Sequence, residues 1–403
     1  MYKYRQPQRA DREPMKLFRT FLSEEVETKL KHIHHVEDRP IVHGAGGFDQ
    51  AEMALRTAHE HIKGGGNSSH LTMKYDGSPA VVFGHHPQTG KFFVASKSAF
   101  NVNPKLNYSH EDVLKNHGHA PGLVDKLHSA LTHLPKITPK SGVYQGDMMY
   151  SEGDKEHHKD RVSFTPNTIK YTAKGEEADK IKKSKMGVIV HTQYHGPDIK
   201  SMKADPHPDV HNFAQHPDVW HKPAVHDTRN VHYSEDDQKK FEGHVETAKA
   251  INDVHGPAMY KATAPHRGVA GSLNTYLNDT VRKDEAPSTE GLKKHLQGNY
   301  TKASSKLITP AGKARREGVG IAELKHIDDN EKHYGNLLQM HHHLQAAKDV
   351  LVHTLNQHTG GLEHHIGDKK TNPEGFVVNH EGVPSKLVDR KEFSKANLLK
   401  VRK

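Results

Sequence analysis

The residues in this sequence whose types suit chemistry are a few lysines and carboxylates beside glycine turns. In Met73-Lys74-Tyr75-Asp76-Gly77-Ser78-Pro79 a lysine ends an alternating stretch, and a tight Asp-Gly turn follows it. A lysine amine is a poor nucleophile at its free pKa of ~10.4 and becomes a good one when neighbouring cations or burial lower that value. Lys97, in Ser96-Lys97-Ser98, and Lys386, in Ser385-Lys386-Leu387, are candidate cations for such a site and would favour an anionic ligand. Asp147 and Glu374 are hard oxygen ligands, suited to magnesium or to ribose hydroxyls. Gly77 and Gly375 leave room for the backbone to approach a ligand closely.

These residues need elements to hold them. The hydrophobic period predicts short strands at 71–74, 79–83 and 92–95, joined by glycine-containing turns, and two more at 142–150 and 187–194. Strand character returns at 375–378 and 385–388. A helix is expected over 48–63, started near Asp49 and stopped by Gly64-Gly65-Gly66, and another over 15–35 with Ser23 as its cap. Residues 196–235 read as loop. Residues 236–365 read as mostly helical, with Leu337, Met340, Leu344, Ala347 and Leu351 on one face. The triplet His341-His342-His343 falls off that stripe and reads as solvated surface. Its three side chains point about 100° apart, so they cannot share one ion. Gly84 to Lys91 misses the phosphate-loop spacing and reads as a hairpin turn. The expected fold is α+β, antiparallel sheets interrupted by a large helical insertion. The expected divisions are 1–35 (extension and helix), 36–200 (core, first part), 201–369 (mainly helical insertion) and 370–403 (final core strands).

In order along the chain, these stretches resemble the motifs of the covalent nucleotidyltransferases, the superfamily of ATP-dependent DNA and RNA ligases and mRNA capping enzymes. Lys74-Tyr75-Asp76-Gly77 is similar to the Lys-x-Asp-Gly motif, Ser96-Lys97-Ser98 to the second motif and Tyr144-Gln145-Gly146-Asp147 to the third. Glu374-Gly375-Phe376-Val377-Val378 is similar to the Glu-Gly-apolar motif, and Ser385-Lys386-Leu387-Val388 to the last. Glu37-Asp38, Pro166-Asn167-Thr168-Ile169 and Val388-Asp389-Arg390 also resemble an uncharacterised tailed-phage family with this ligase-like core.

The resemblance implies an ATP-grasp/ligase-like nucleotidyltransferase core. It implies Lys74 as the covalent nucleophile on ATP, giving lysyl-AMP with Mg2+ present. Asp76, Gly77, Lys97, Asp147, Phe164, Glu374 and Lys386 would surround the nucleotide. An aromatic from the next strand, supplied by 162–171 (Phe164) or by 187–194, would stack on the base, and Asp147 and Glu374 would hold the metal. The implied partner is a nucleic acid with 5′-phosphate ends, RNA or nicked duplex, and the implied location is cytoplasmic (the host cytoplasm if phage-encoded). Two departures stand out: Gln145 replaces the first acid of the third motif, and Val388 stands where a second lysine is usual, with Arg390 or Lys391 as candidate substitutes. Lys386 lies so near Lys403 that no C-terminal OB-fold is expected, which disfavours capping and standard duplex ligation. The alternative is a non-catalytic nucleic-acid-binding or virion-associated phage protein on a degenerate core.

Composition agrees with a polyanionic partner. Lys and Arg total 58 against 49 Asp and Glu, a net +9, and 38 His add charge as pH falls. The cationic residues of the insertion, Lys239, Lys240, Lys261, Arg267, Arg282, Lys283, Arg315 and Arg316, are candidates for gripping a polynucleotide backbone. The absence of Cys excludes disulfides, Cys-ligated zinc, iron–sulfur clusters and thiol nucleophiles. No apolar run approaches the ~18 residues of a membrane span.

Overall fold

The computed structural model describes residues 33–64, 71–206, 208–263, 267–283 and 285–390. The helix expected over 15–35 falls almost wholly outside them, as does Lys391. The described chain begins with a 3-10 turn, Val36–Asp38, and helix α1, Arg39–Gly64. Gly44, at φ +62°, kinks α1 between its first turn and its body, a conformation a residue with a Cβ adopts at a cost. Strands β1 (Leu71–Lys74), β2 (Ala80–His85) and β3 (Phe92–Ala95) follow, then α2 (His110–His117) and α3 (Pro121–His133). Next come β4 (Val143–Ser151), β5 (Lys155–His157), β6 (Arg161–Phe164), β7 (Lys170–Lys174), α4 (Gly175–Lys183), β8 (Met186–His195), β9 (Lys203–Asp205) and β10 (Val219–Pro223). The helices α5 (Glu235–Thr263), α6 (Arg267–Lys283), α7 (Thr289–Ser305), α8 (Pro310–Asp329) and α9 (Glu331–Leu355) lead to β11 (Glu363–Ile366), β12 (Lys369–Thr371), β13 (Gly375–His380) and β14 (Val383–Leu387).

The fold is α+β, and its strands form three sheets. The first has the order β1-β13-β14, all antiparallel. The second has the order β10-β8-β4-β2-β3 with β9 beside β8, antiparallel except for the parallel pair β10–β8. The third has the order β12-β11-β7-β6-β5. The helical segment is narrower than the expected 201–369. Residues on its near side supply β9 and β10 to the second sheet, and residues on its far side supply β11 and β12 to the third. Nor are the helices a separate body. One continuous apolar core joins Phe48, Ala51 and Leu55 of α1, Phe241 and Val245 of α5 and Leu337 and Leu344 of α9 to Leu71, Phe376 and Leu387 of the first sheet. The three- and four-residue spacing on α1 and α9 turns one stripe of each into that core.

A buried ionic clasp ties the two ends of the described chain to α9. Arg390 donates to both carboxylate oxygens of Asp38, at 3.0 and 2.9 Å. Lys348, fully buried, donates to Glu37 at 3.0 Å. Charges this deep persist only when paired. His341 belongs to the clasp: its Nε2 lies 2.9 Å from Asp38 Oδ1, and the residue is 1% exposed. The expectation that His341 is solvated surface is therefore corrected. It leaves the apolar stripe because it answers a carboxylate and not a hydrocarbon. Arg390, committed to Asp38 and Glu37, does not replace the missing lysine of the last motif.

Candidate active site

The first and second sheets enclose a cavity of about 1440 Å³. The alternation of side chains across each strand decides what faces it. On β1, Leu71 and Met73 enter the core, whereas Thr72 and Lys74 face the cavity. Thr72 pairs with Val377 of β13, and Val377 with Lys386 of β14, so Lys386 shares the cavity face with Lys74. On the opposite wall, Tyr144 and Met148 of β4 pack towards α2 and α3, leaving Gln145 and Asp147 to face the cavity. Lys97 enters from the turn after β3. Ser96 caps that turn, its hydroxyl accepting from the Ser98 N–H at 3.3 Å.

Lys74 Nζ lies 2.5 Å from Glu374 Oε2. Pairing of Lys74 with Gly375 across the sheet makes that contact, because it sets Glu374 at the mouth of β13 beside the end of β1. Burial pushes the Glu374 carboxyl up from its ordinary value, opposed by the Lys74 ammonium. Burial pulls the Lys386 amine down, and the charge of Lys74 adds to that effect. Among the described residues no carboxylate stands within ion-pair distance of Lys97 or Lys386.

Gly77 is where the turn after Lys74 touches the opposite wall. A Cβ there would lie 2.5 Å from the Cβ of Asp147 and 3.0 Å from the Met148 carbonyl oxygen. Backbone bonds from Ser78 N–H to Met148 O (2.9 Å) and from Met148 N–H to Pro79 O (3.0 Å) fix the approach.

Three expected assignments change. Asp76 lines the cavity, but its carboxylate is taken: Asn167 Nδ2 donates to Oδ1 at 2.8 Å, and the N–H groups of Thr168 and Ile169 donate to Oδ2 at 2.6 and 3.0 Å. Its own N–H donates to the Tyr171 hydroxyl at 2.7 Å. Asp76 anchors the turn after Lys74 to the β6–β7 turn, and its carboxylate is spent on that anchoring and not offered to a ligand. Phe164 is 0% exposed and does not line the cavity; its ring packs against Tyr150 (4.8 Å) and Tyr171 (5.8 Å) in the core beneath the third sheet. It cannot stack on a base. With Glu374 held by Lys74 and Asp76 by the β6–β7 turn, Asp147 is, among the described residues, the cavity-lining carboxylate that accepts no hydrogen bond, and His191 Nε2 stands 3.7 Å from its Oδ1. Among the described residues no group of three or more His, Asp or Glu side chains is placed to hold an ion.

Sequence reasoning passed over His191 and Lys203, which also line the cavity. His191 is exposed by a bulge: Gln145 pairs with Thr192 and Gly146 with Val190, so His191 is the extra residue of β8. The only sequence signal for it was a polar residue ending the apolar run Val188-Ile189-Val190. Gln145 is buried, its amide oxygen accepting from the Tyr194 hydroxyl at 2.6 Å. Of the insertion's cations, Arg282 pairs with Asp279, Lys240 with Asp237, and Arg316 lies over the Tyr300 ring.

Residues 30–402 match the model of a family described as a family of unknown function, DUF6267. The chain belongs to that family. The match spans both walls of the cavity and all the helices between them, so the DUF6267 unit includes the helical segment as well as the sheets. No curated protein and no solved structure matches the chain. Among the described residues no helix is long and apolar enough to cross a membrane.

Proposed function

We propose that this DUF6267 protein is a covalent nucleotidyltransferase that adenylylates itself at Lys74 and passes the AMP to a 5′-phosphorylated polynucleotide end, RNA or nicked duplex. The convergence of Lys74 from β1, Lys97 from the turn after β3 and Lys386 from β14 on one cavity large enough for a nucleotide supports this reading. Lys74 Nζ attacks the α-phosphorus of ATP. The N–P bond forms, the bond to the β-phosphate oxygen breaks, and pyrophosphate leaves. Nζ gives up two protons between ammonium and phosphoramidate: the first, lost before attack, passes to Glu374 Oε2, the adjacent carboxylate that burial makes receptive, and the second, lost from the N–P adduct, leaves with pyrophosphate. Lys97 and Lys386 hold phosphate oxygens, where charge develops. Asp147 is the side chain placed to hold a divalent ion, most of whose shell would come from phosphates and water. Such an ion would supply neutralisation of phosphate charge. In the second half, an oxygen of the acceptor phosphate attacks the α-phosphorus, the P–N bond breaks and Lys74 recovers its protons.

Incubation with α-labelled ATP and divalent metal tests this. The wild type is expected to carry label through denaturing electrophoresis, and Lys74→Ala to carry none. An unlabelled wild type would contradict the proposal. A second reading, a non-catalytic nucleic-acid-binding protein on the same core, draws on Gln145 in place of an acid and on Val388, buried where a second cation is usual. Tight polynucleotide binding without nucleotide binding would favour it.

A further inference from the structure

Three carboxylates stand at or beside the cavity, and two of them are committed. Asp76 accepts from three donors, and Glu374 meets Lys74. Among the described residues nothing donates a hydrogen bond to the Asp147 carboxylate. His191 Nε2 lies 3.7 Å from Asp147 Oδ1, too far for a hydrogen bond. An ion about 2.1 Å from each atom would bridge any gap up to about 4.2 Å.

The second observation is how His191 is held. The β8 bulge places it and Thr192 on the cavity side together. Its Nδ1 lies 2.8 Å from the Thr192 hydroxyl oxygen. When Nδ1–H donates to that oxygen, the tautomer is fixed and the Nε2 lone pair faces Asp147. Metal-binding imidazoles are oriented in this way, through a hydrogen bond from the other ring nitrogen. In the other tautomer Nε2–H faces the carboxylate from 3.7 Å, beyond hydrogen-bond reach, whereas an ion between the two atoms would select the tautomer with the lone pair outward. Gln145, the next polar side chain on the wall, has its oxygen engaged by Tyr194 and adds no third ligand.

We propose that Asp147 and His191 form a two-ligand divalent metal site that favours a first-row transition ion such as Mn2+ over Mg2+. Magnesium prefers an all-oxygen shell, whereas an imidazole nitrogen raises affinity along the first-row series. The site rests on the nucleotidyltransferase reading for its remaining ligands, the phosphates of the nucleotide. The metal pair is therefore Asp147 with His191, not Asp147 with Glu374.

The test is Mn2+ binding to the full-length protein by electron paramagnetic resonance, alone and with a non-cleavable α,β-methylene ATP, with Mg2+ as competitor. The wild type is expected to prefer Mn2+, to bind it more tightly with the analogue, and to show a nitrogen coupling from a coordinated imidazole. His191→Ala should lose that coupling and weaken Mn2+ about ten-fold or more, while Mg2+ binding holds. His191→Glu, which restores an oxygen donor, should bind with the preference moved towards Mg2+. Asp147→Asn should weaken both ions. Thermal melting of each variant checks that it folds. A wild type without preference or nitrogen coupling, or a His191→Ala protein that binds Mn2+ unchanged or loses both ions equally, overturns the site. Because binding is read without turnover, metal selectivity with no lysyl adduct would sink the nucleotidyltransferase reading alone. An adduct formed equally with either ion, and insensitive to His191→Ala, would sink the metal site alone.

Discussion

Lys74 and Gly77 are three residues apart and have different duties. Lys74 supplies the amine, while Gly77 brings its turn into contact with the wall that carries Asp147. Gly77→Ala puts a methyl group against the Asp147 Cβ and the Met148 carbonyl. The neighbours are backbone and a short side chain, so the loop must move. We expect a loss of about 1–3 kcal/mol in a denaturant titration and a larger loss of labelling by ATP than stability alone explains. Asp76 tests positioning separately. Asp76→Ala orphans Asn167 Nδ2 and the Thr168 and Ile169 N–H groups, whereas Asp76→Asn keeps an acceptor for some of them. Self-adenylylation should fall steeply in Asp76→Ala and partly recover in Asp76→Asn, with nucleotide affinity little changed in both, as a turn-anchoring role requires and a nucleotide ligand would not allow.

At the scale of elements, the ionic clasp makes a clear demand. Lys348→Met leaves Glu37 buried with Arg390 at 3.5 Å as its remaining partner. Removing one partner of a buried pair costs about 3–5 kcal/mol, and replacing both with apolar residues is often near neutral. Lys348→Met should therefore melt well below the wild type, and Glu37→Leu with Lys348→Met should recover most of the difference. The strands that carry or adjoin Lys74, Asp147, Glu374 and Lys386 were legible in the sequence, because each candidate residue sits at the end of, beside or within a short apolar run near a glycine. The rest depended on events a single strand does not encode. Phe164 has the alternation of a half-exposed strand residue, but sheet pairing sends its ring into the core. His191 reaches the cavity through a bulge, defined only by the pairing partner. His341 breaks a helical stripe for a carboxylate 303 positions away. The extent of the helical segment was misjudged because short strands such as β9 and β12 carry too few residues to show a period.

Across the whole molecule, histidine content becomes a stability property. His226 and His364 are 1% and 0% exposed. Burial pulls His226 down to about 3, with the charge of His358 adding to it, and burial pulls His364 down to about 4. In the unfolded chain both titrate near their ordinary value of ~6.5. Between about pH 4 and 6.5 the unfolded state thus binds protons that the folded state refuses, and stability falls as pH falls. The clasp acts in the same direction at lower pH, since the Glu37 and Asp38 carboxyls are held below their ordinary values by the cations they face. Denaturant midpoints measured from pH 7.5 to pH 4.5 should decline by an amount worth a few kcal/mol, on the order of one pKa unit's 1.36 kcal/mol for each unit crossed by each histidine. His226→Phe should flatten part of that decline.

All of this bears on one arrangement, in which a sheet that pairs Leu71–Lys74 with the late strands β13 and β14 and a sheet built from residues 80–223 line one cavity around the amine of Lys74. Intact mass spectrometry of the purified full-length protein after incubation with ATP and a divalent ion examines that arrangement directly. The account predicts a mass increase of one adenylate in the wild type, reversed by added pyrophosphate and absent in Lys74→Ala. A wild-type mass that stays unchanged with both Mg2+ and Mn2+, or an adenylate that persists in Lys74→Ala, would contradict it.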